Sequence, residues 1–591
     1  MKLILVAVIA SVVVAAALPP SCERPVYCDS KLLHHVQMAR LYKDSKTFVD
    51  FQMKTDEQTI LAEFDKLLAE TSDSPTKEQL QEFVNKYFDD VSELEKWTPP
   101  DFKQNPPYLR RIRDKKLRQF ASDINQIWPV LGRKVKDVVH EKPELFSFIP
   151  VHHGFIIPGG RFTELYYWDT YWIIEGLLIS GMKETVKGII SNLIELQRKF
   201  GHIPNGARWY YQERSQPPLL SGMVSQYIRA TNDINFLKEN IDALESEMEY
   251  WLDTQSITFD VCGKQYTLLR YFAPSEGPRP ESYYEDYTNA QTFPTEELRR
   301  EFYVSIKSGA ESGWDFSTRW FVDQNGGNRG NLSTIHTFEI IPVDLNSIYA
   351  NAMQNLARYY LKIGQPRKGV SWDRLATQWR NNIKDVLWNE EDGIWYDWDL
   401  EHGQHRKYFY PSNVAPLWMR AVEKAFIKEK GPAILKNLKN SHALDYAGGV
   451  PTSLIRSGEQ WDFPNAWPPL VSMMINGLEA LEIEEASKLA FTLAQRWVRA
   501  NYKGFNETKA MFEKYDVELP GKIGGGGEYE VQLGFGWTNG VVLEMLSKFG
   551  KYMTAEENPQ VKTVPLIQAS YLKHNMSVLV KRNQTLPSII A

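Results

Sequence analysis

A mostly helical chain whose helices pair into hairpins is predicted by three observations. Apolar residues recur at three- and four-residue spacing almost throughout, the interval that lines one face of an α-helix. The two-residue alternation of a half-buried strand is scarce by comparison. Stretches rich in Gly, Pro and aromatic residues fall between the helical ones at intervals. Paired helices in a long chain form either an open α-solenoid or a closed ring of helical hairpins. No repeat of fixed length is visible in the 591 residues, which counts against the solenoid. The length allows one large core or two to four domains, and composition does not choose between them.

Met1-Lys2 precede a run from Leu3 to Leu18 that is apolar except for Ser11, with Ala15-Ala16-Ala17 as a small-residue cleavage site. Residues 1–17 are read as a secretory signal, because a run of sixteen residues falls short of a membrane span. The remainder, 18–591, is expected to be one catalytic domain, soluble and extracellular, with no membrane in its mature form. The last segment is broken by Lys581, Arg582, Asn583 and Pro587, so 555–591 is read as a polar tail rather than a lipid anchor. Cys22 and Cys28 lie just beyond the cleavage point and are expected to pair, leaving Cys262 as a buried, inert thiol. Export makes the sequons at Asn331, Asn506, Asn575 and Asn583 glycosylation acceptors.

Residues 20–105 are more charged and read as helices on the outside of the same domain, among them 57–70 and 76–90. Helical periodicity continues over 110–138. Ile189, Ile190, Leu193, Ile194 and Leu196 form one face before Gly201 ends the helix. After a further helix over 217–231, Phe236, Ile241, Leu244, Met248 and Leu252 form a second face, and Leu345, Ile348, Met353, Leu356 and Tyr360 a third. Helices are expected again over 371–388, 414–428, 464–480, 484–501 and 537–549. The chemistry-rich segments 158–171, 201–216, 271–343, 389–412, 445–469 and 503–537 lie between them. If alternate connections leave one end of a ring, all six converge on one pocket. The stretch Tyr271–Pro342 is too long for a passive connection and is read as part of the site or its lid.

A formal charge of -6 over 68 basic and 74 acidic residues leaves no basic field, which excludes nucleic acid as a partner. His152-His153 are adjacent, and the eleven histidines show no zinc spacing, so neither metal nor cofactor is expected. The run Gly524–Gly527 is followed by Glu528 instead of Lys-Ser or Lys-Thr, which argues against a nucleotide loop and for a mobile loop that brings backbone close to a ligand. No Gly-x-Ser-x-Gly elbow is present.

What remains suits a sugar. Arg161, Glu164, Trp168 and Asp169 sit among aromatic residues, and Gln460-Trp461-Asp462-Phe463-Pro464-Asn465-Ala466-Trp467 repeats that mixture. Charged groups bond hydroxyls, and flat rings lie on the apolar face of a pyranose. Asn205, Arg214 and Arg279 add an amide and guanidinium groups on non-helical backbone, and Asp169 and Glu281 offset the charge, which favours a neutral polyhydroxylated ligand. Asp315 stands between Trp314 and Phe316, where lost solvation raises a carboxyl pKa toward that of a general acid. Its alternative reading is a turn residue paired with Arg319. Glu513 and Glu528 are both candidate bases, and spacing does not separate them.

The two clusters, Arg279-Pro280-Glu281-Ser282, Glu311-Ser312-Gly313-Trp314-Asp315, Glu513-Lys514-Tyr515 and the glycines before Glu528-Tyr529 occur here in the order that trehalases have them. The chain resembles that family, particularly its secreted animal type, from about residue 105 onward. The resemblance implies an all-α toroid of six helical hairpins, (α/α)6, that hydrolyses α,α-trehalose with inversion. It implies Asp315 as general acid and Glu513 as general base. Arg161, Trp168, Asp169, Asn205, Arg214, Ser215, Gln216, Arg279, Pro280, Glu281, Gly313 and Glu528 match substrate contacts. Ala466 replaces a common Gly. The alternatives are an (α/α)6 α-glucosidase of other specificity and a secreted carbohydrate-binding protein without catalysis.

Overall fold

The structure is a computed structural model that describes residues 18–527 and 532–556. Twelve helices among them alternate between an outer and an inner position. They are α1 (Lys115–Asn125), α2 (Asp169–Ile179), α3 (Lys183–Phe200), α4 (Leu220–Thr231), α5 (Ile234–Gln255), α6 (Val343–Lys362), α7 (Pro366–Leu387), α8 (Ala415–Trp418), α9 (Lys424–Asn440), α10 (Pro468–Ala480), α11 (Glu484–Thr508) and α12 (Gly536–Phe549). The even-numbered helices touch in the cyclic order α2, α4, α6, α8, α10, α12 and back to α2, a closed inner ring, and odd-numbered helices back it. This is the (α/α)6 toroid.

Sequence explains the alternation. Inner helices are apolar nearly all round, as in Leu470–Ile475 of α10, where every residue is buried, whereas outer helices such as α11 bury only one stripe. The inner helices from α2 to α10 each turn back into the outer helix that follows through two to five residues, for example Asn232-Asp233 between α4 and α5. Returns that short force antiparallel neighbours, so the inner helices run parallel and their N-termini share one end of the ring. All six long connections therefore leave from that end. Ring closure depends on two glycines: a Cβ on Gly540 of α12 would stand 2.0 Å from the Trp172 carbonyl oxygen of α2, and one on Gly176 would stand 2.8 Å from the Gly540 Cα.

Several stretches depart from the periodicity. The helix expected over 110–138 is interrupted at Gln126, resumes for the single turn Ile127–Leu131 and gives way to β2 (Gly132–Val135), which pairs with β1 (Leu94–Lys96) and β3 (Phe155–Ile156). Gly132 lies so close to the Trp97 carbonyl that a Cβ would be 1.9 Å from its oxygen. The helix expected over 414–428 is split after Trp418, where Arg420 takes φ 53°. The long connection before α6 carries the helices Tyr283–Ala290 and Glu296–Glu311. A hairpin of β4 (Ser256–Val261) and β5 (Lys264–Leu269) turns through Cys262-Gly263, with φ 54° and 84°. That two-residue turn puts the Cys262 thiol on the exposed tip, not in the core as expected. Cys22 and Cys28 are joined by a disulfide.

Residues 20–105 form a second apolar cluster, in which Leu32, Val36, Ile60, Phe64, Leu80 and Phe83 pack with Tyr166, Tyr210 and Tyr211 of the toroid. Beneath it Arg208, buried to 1% exposure, bonds Glu164 at 2.8 Å and Glu93 at 2.6 Å, and Lys46 reaches the same Glu164 oxygen. Burial alone would raise the Glu164 pKa, but the two cations outweigh it and hold the carboxyl at about 2. Glu164 is thus part of the scaffold and does not face a ligand. No helix among the described residues is long and apolar enough to cross a membrane.

Gly540→Val should lower the midpoint of urea unfolding by an amount equivalent to 1–3 kcal/mol or more, on the order of the cost of overpacking a core. A wild-type midpoint would mean that α2 and α12 do not cross this closely.

Candidate active site

The loops at the N-terminal end of the inner ring enclose a cavity of about 680 Å³, its open mouth included. Arg161, Trp168, Asp169, Asn205, Arg214, Gln216, Arg279, Glu281, Gly313, Asp315 and Glu513 line it. Each long connection except the one before α8 contributes. Asp169 begins α2, so its carboxyl sits at a helix N-terminus.

Besides Glu281, three acids share this space. Asp169 and Glu513 are 5% and 1% exposed, and Asp315 opens partly to the cavity. Burial raises the Asp315 pKa to about 6, Glu513 adding to the rise while Arg279 and Arg214 oppose it. Burial also lifts the Asp169 carboxyl well above its ordinary range, and the charges of Glu513 and Asp315 push the same way. Burial and the neighbouring acids therefore favour the protonated form of Asp169, against the backbone hydrogen bond at its helix N-terminus. Arg319 does not pair with Asp315. It is fully buried and forks to Asp344 at 2.7 Å and Asp397 at 2.8 Å.

The cavity's arginines are matched by acids: Arg279 with Asp286 at 2.7 Å, Arg161 with Asp44 at 2.7 Å, and Arg214 with Glu281. Arg214 Nε and Glu281 Oε2 are buried without a hydrogen-bond partner among the described residues. Such groups bind a neutral ligand's hydroxyls. The Gln216 side-chain oxygen accepts from the Trp168 N–H at 2.9 Å, and the Asn205 amide bonds the Ser215 carbonyl at 3.4 Å. Gly313, at φ 77°, lies under the Trp168 ring, where a Cβ would be 2.6 Å from the indole. Ser215 and Pro280 stand behind the wall. Ser215 N–H donates to Glu311 and its hydroxyl to the Ile203 carbonyl, and the Pro280 carbonyl accepts from Gln37. Glu528 lies outside the described residues.

Phe162, Tyr166, Tyr211, Trp461, Trp467, Phe535 and Trp537 supply the aromatic part of the lining, with Ser282 and Ala310 beside them. Trp461 and Trp467 stack at 3.8 Å with planes 3° apart, and Trp537 meets both edge-on. The signal for these rings was their position beside the polar candidates in the same loops. Among the described residues no group of three or more His, Cys, Asp or Glu could hold a metal ion. The glycines before Glu528 do not approach the cavity as expected. Gly526 and Gly527 pack on Gly458–Gln460, where a Cβ would come within 2.5 and 2.8 Å, and the Gly525 N–H donates to Asn465.

Asp462, in the second Trp-rich cluster, suspends the Asp315 loop. Its carboxylate accepts from the Thr318 N–H and hydroxyl, both at 2.8 Å, from Ser317 at 3.1 Å and from Ser457 at 2.6 Å. Asp462→Ala should cost about 3 kcal/mol or more, since several buried donors lose their acceptor. Urea unfolding checks this, and a loss under about 1 kcal/mol would show that water replaces the carboxylate.

The family model described as Trehalase matches residues 40–550. The match begins well before residue 105 and takes in the segment that carries Asp44 and Lys46. A trehalase of Bombyx mori is 58% identical over 94% of this chain and 96% of its own length. The human trehalase is 45% identical, over 91% of this chain and 92% of its own. A solved neutral trehalase of Saccharomyces cerevisiae, 21% identical, superposes with a TM-score of 0.53 over 68% of this chain and 75% of that one, which supports the fold alone. The ring of hairpins, the acid-lined cavity at its loop end and these matches agree: the chain belongs to the trehalase family.

Proposed function

We propose that this chain hydrolyses α,α-trehalose to two glucose molecules with inversion at one anomeric carbon. The observation that carries this reading is the pair Asp315 and Glu513, two carboxyl groups in one buried, charge-balanced cavity of a trehalase-family chain. Asp315, with a pKa lifted to about 6 by burial, holds a proton for the bridging oxygen. Glu513 accepts a proton from the water that attacks the opposite face. The aromatic rings hold the apolar sugar faces, while Arg214, Glu281, Arg279, Arg161, Asn205 and Gln216 bond the hydroxyls. Asp169, beside both catalytic acids, bonds a sugar hydroxyl, and Glu528 is assigned to binding.

A secreted protein fits the disulfide, the apolar run over Leu3–Leu18 and the exposed Asn331 and Asn506. The signal segment, Asn575, Asn583 and the tail lie outside the described residues. Residues 18–591 are read as one catalytic domain whose first hundred residues support the loops of the toroid.

Proton NMR at early times should show α- and β-glucose from trehalose in equal amounts, and α-glucose alone would mean retention. Maltose and sucrose should be left intact by the same protein. Asp315→Ala and Glu513→Ala should each lose about 10²–10⁴ in rate on trehalose. On α-glucosyl fluoride, which needs little protonation to leave, Asp315→Ala should recover. Azide should rescue Glu513→Ala on the fluoride, and azide rescue of Glu528→Ala in its place would move the base to the other acid.

An acid must be protonated to act, and the folded pKa of Asp315 is raised. Its working form is therefore full below that pKa and lost as pH rises through it. The alkaline limb of kcat/KM should fall near pH 6, and no such limb should remain in Asp315→Asn.

A further inference from the structure

One side chain joins the loops of the two proposed catalytic acids. Gln460 Nε2 donates to the main-chain carbonyl of Asp315, and its Oε1 accepts from Lys514 Nζ at 2.8 Å. Lys514 directly follows Glu513, and its ammonium stands 3.8 Å from the Glu513 carboxylate. Gln460 is itself fixed, because its main-chain carbonyl accepts from Asn465 at 2.9 Å and from the Trp467 indole at 2.8 Å. The amide has one workable orientation here, since an ammonium only donates and a carbonyl only accepts.

Lys514 is fully buried, with its ammonium 4.8 Å from the centre of the Trp467 ring. A buried ion pair is a poor source of stability compared with an apolar residue of the same volume. Its presence in the cavity wall therefore calls for another reason. The acids facing it are Glu513 and Asp315. Asp315 is faced in turn by Arg279, Arg214 and Glu513, and Asp169 by Glu513 and Asp315. Other ties join these loops in pairs: β6 (Asn465–Ala466) pairs with β7 (Tyr515–Asp516), the Trp461 N–H donates to the Phe316 carbonyl at 3.0 Å, the Asp462 carboxylate holds Ser317 and Thr318, and the Asn465 side chain bonds Gly525. Gln460 bonds both catalytic loops with a single amide.

We propose that Gln460 and Lys514 are positioning residues that hold Asp315 and Glu513 at a fixed separation across the cavity, Lys514 also balancing the charge of the acids there. This rests on the assignment of those two acids. Inversion gives the separation its importance, because a water must fit between one carboxyl and the sugar while the other reaches the bridging oxygen.

The test is a double-mutant cycle on the full-length purified protein with trehalose. Lys514→Met removes the ammonium, and Gln460→Asn keeps the amide but is one methylene too short to reach both partners. Each should lower kcat by about 10–100-fold, the scale of an ångström-sized misplacement, with KM changed only a few-fold. The double variant should lose no more than the worse single one, since breaking either half breaks the link. Removing a positive charge favours protonated carboxyls, so Lys514→Met should move both limbs of the kcat/KM profile up by about one pH unit. Gln460→Asn, a neutral exchange, should move neither. Wild-type kcat with unmoved limbs, or losses that multiply in the double variant, would overturn the proposal. If Lys514→Met loses its near-ultraviolet circular dichroism, Gln460→Asn decides alone, and an unchanged kcat there refutes the link. A wild-type protein that leaves trehalose intact would refute the functional reading instead.

Discussion

The short returns between the inner helices α2 to α10 and the outer helices that follow them constrain everything else in the molecule. Two to five residues leave no choice but to reverse direction. That reversal, repeated around the ring, makes the inner helices parallel and sends every long connection to one end. The site exists because residues hundreds of positions apart are placed there by the same rule. The helices themselves supply little chemistry beyond Asp169, and their contribution is a rigid rim of N-termini on which irregular backbone can be hung.

Hanging that backbone requires many buried polar groups, and the structure satisfies them in layers. Asp462 carries the turn after Asp315, Glu311 accepts the N–H groups of Ser215 and Phe272, and Arg319 is held by Asp344 and Asp397. The outermost layer comes from the N-terminal segment, where Asp44 orients Arg161 and Lys46 neutralises Glu164. This segment takes part in building the site. The aromatic residues exclude water from the polar groups, and the exclusion is what raises the Asp315 carboxyl toward neutrality.

Much of the ring was legible in the sequence because inner and outer helices differ in how much of their circumference is apolar. The faces built on Ile189 and Leu345 fall where periodicity put them, and the chemistry-bearing segments fall between helices. Periodicity failed where local backbone overrides it. A turn at Gln126 and the strand that starts at Gly132 end a helix that hydrophobic spacing continues, and the helix Glu296–Glu311 was hidden because its buried second half carries Ser305, Lys307, Ser308 and Glu311 among its apolar residues. Cys262 was misplaced because its surroundings were read as helical, whereas it turns a two-residue β-hairpin at φ 54°. The polar lining was legible from residue type, as with Arg214 and Glu281. The supporting roles of Gln460, Asp462 and Lys514 were not, since they depend on contacts between loops far apart in sequence.

The contact of Gly176 with Gly540 carries a consequence in time. At the roughly 5–20 residues per second of synthesis, α2 is made on the order of twenty seconds to a minute before α12 exists to cover it. Through that interval its apolar flank, Trp172, Ile173 and Leu177, has no permanent neighbour on one side. Until α12 is made, that flank is open to a second chain, and closure within one chain is favoured by the high effective concentration of its own α12. Export into a compartment that holds unfinished chains apart would favour the closed ring, and the last inner helix to be made decides which outcome prevails.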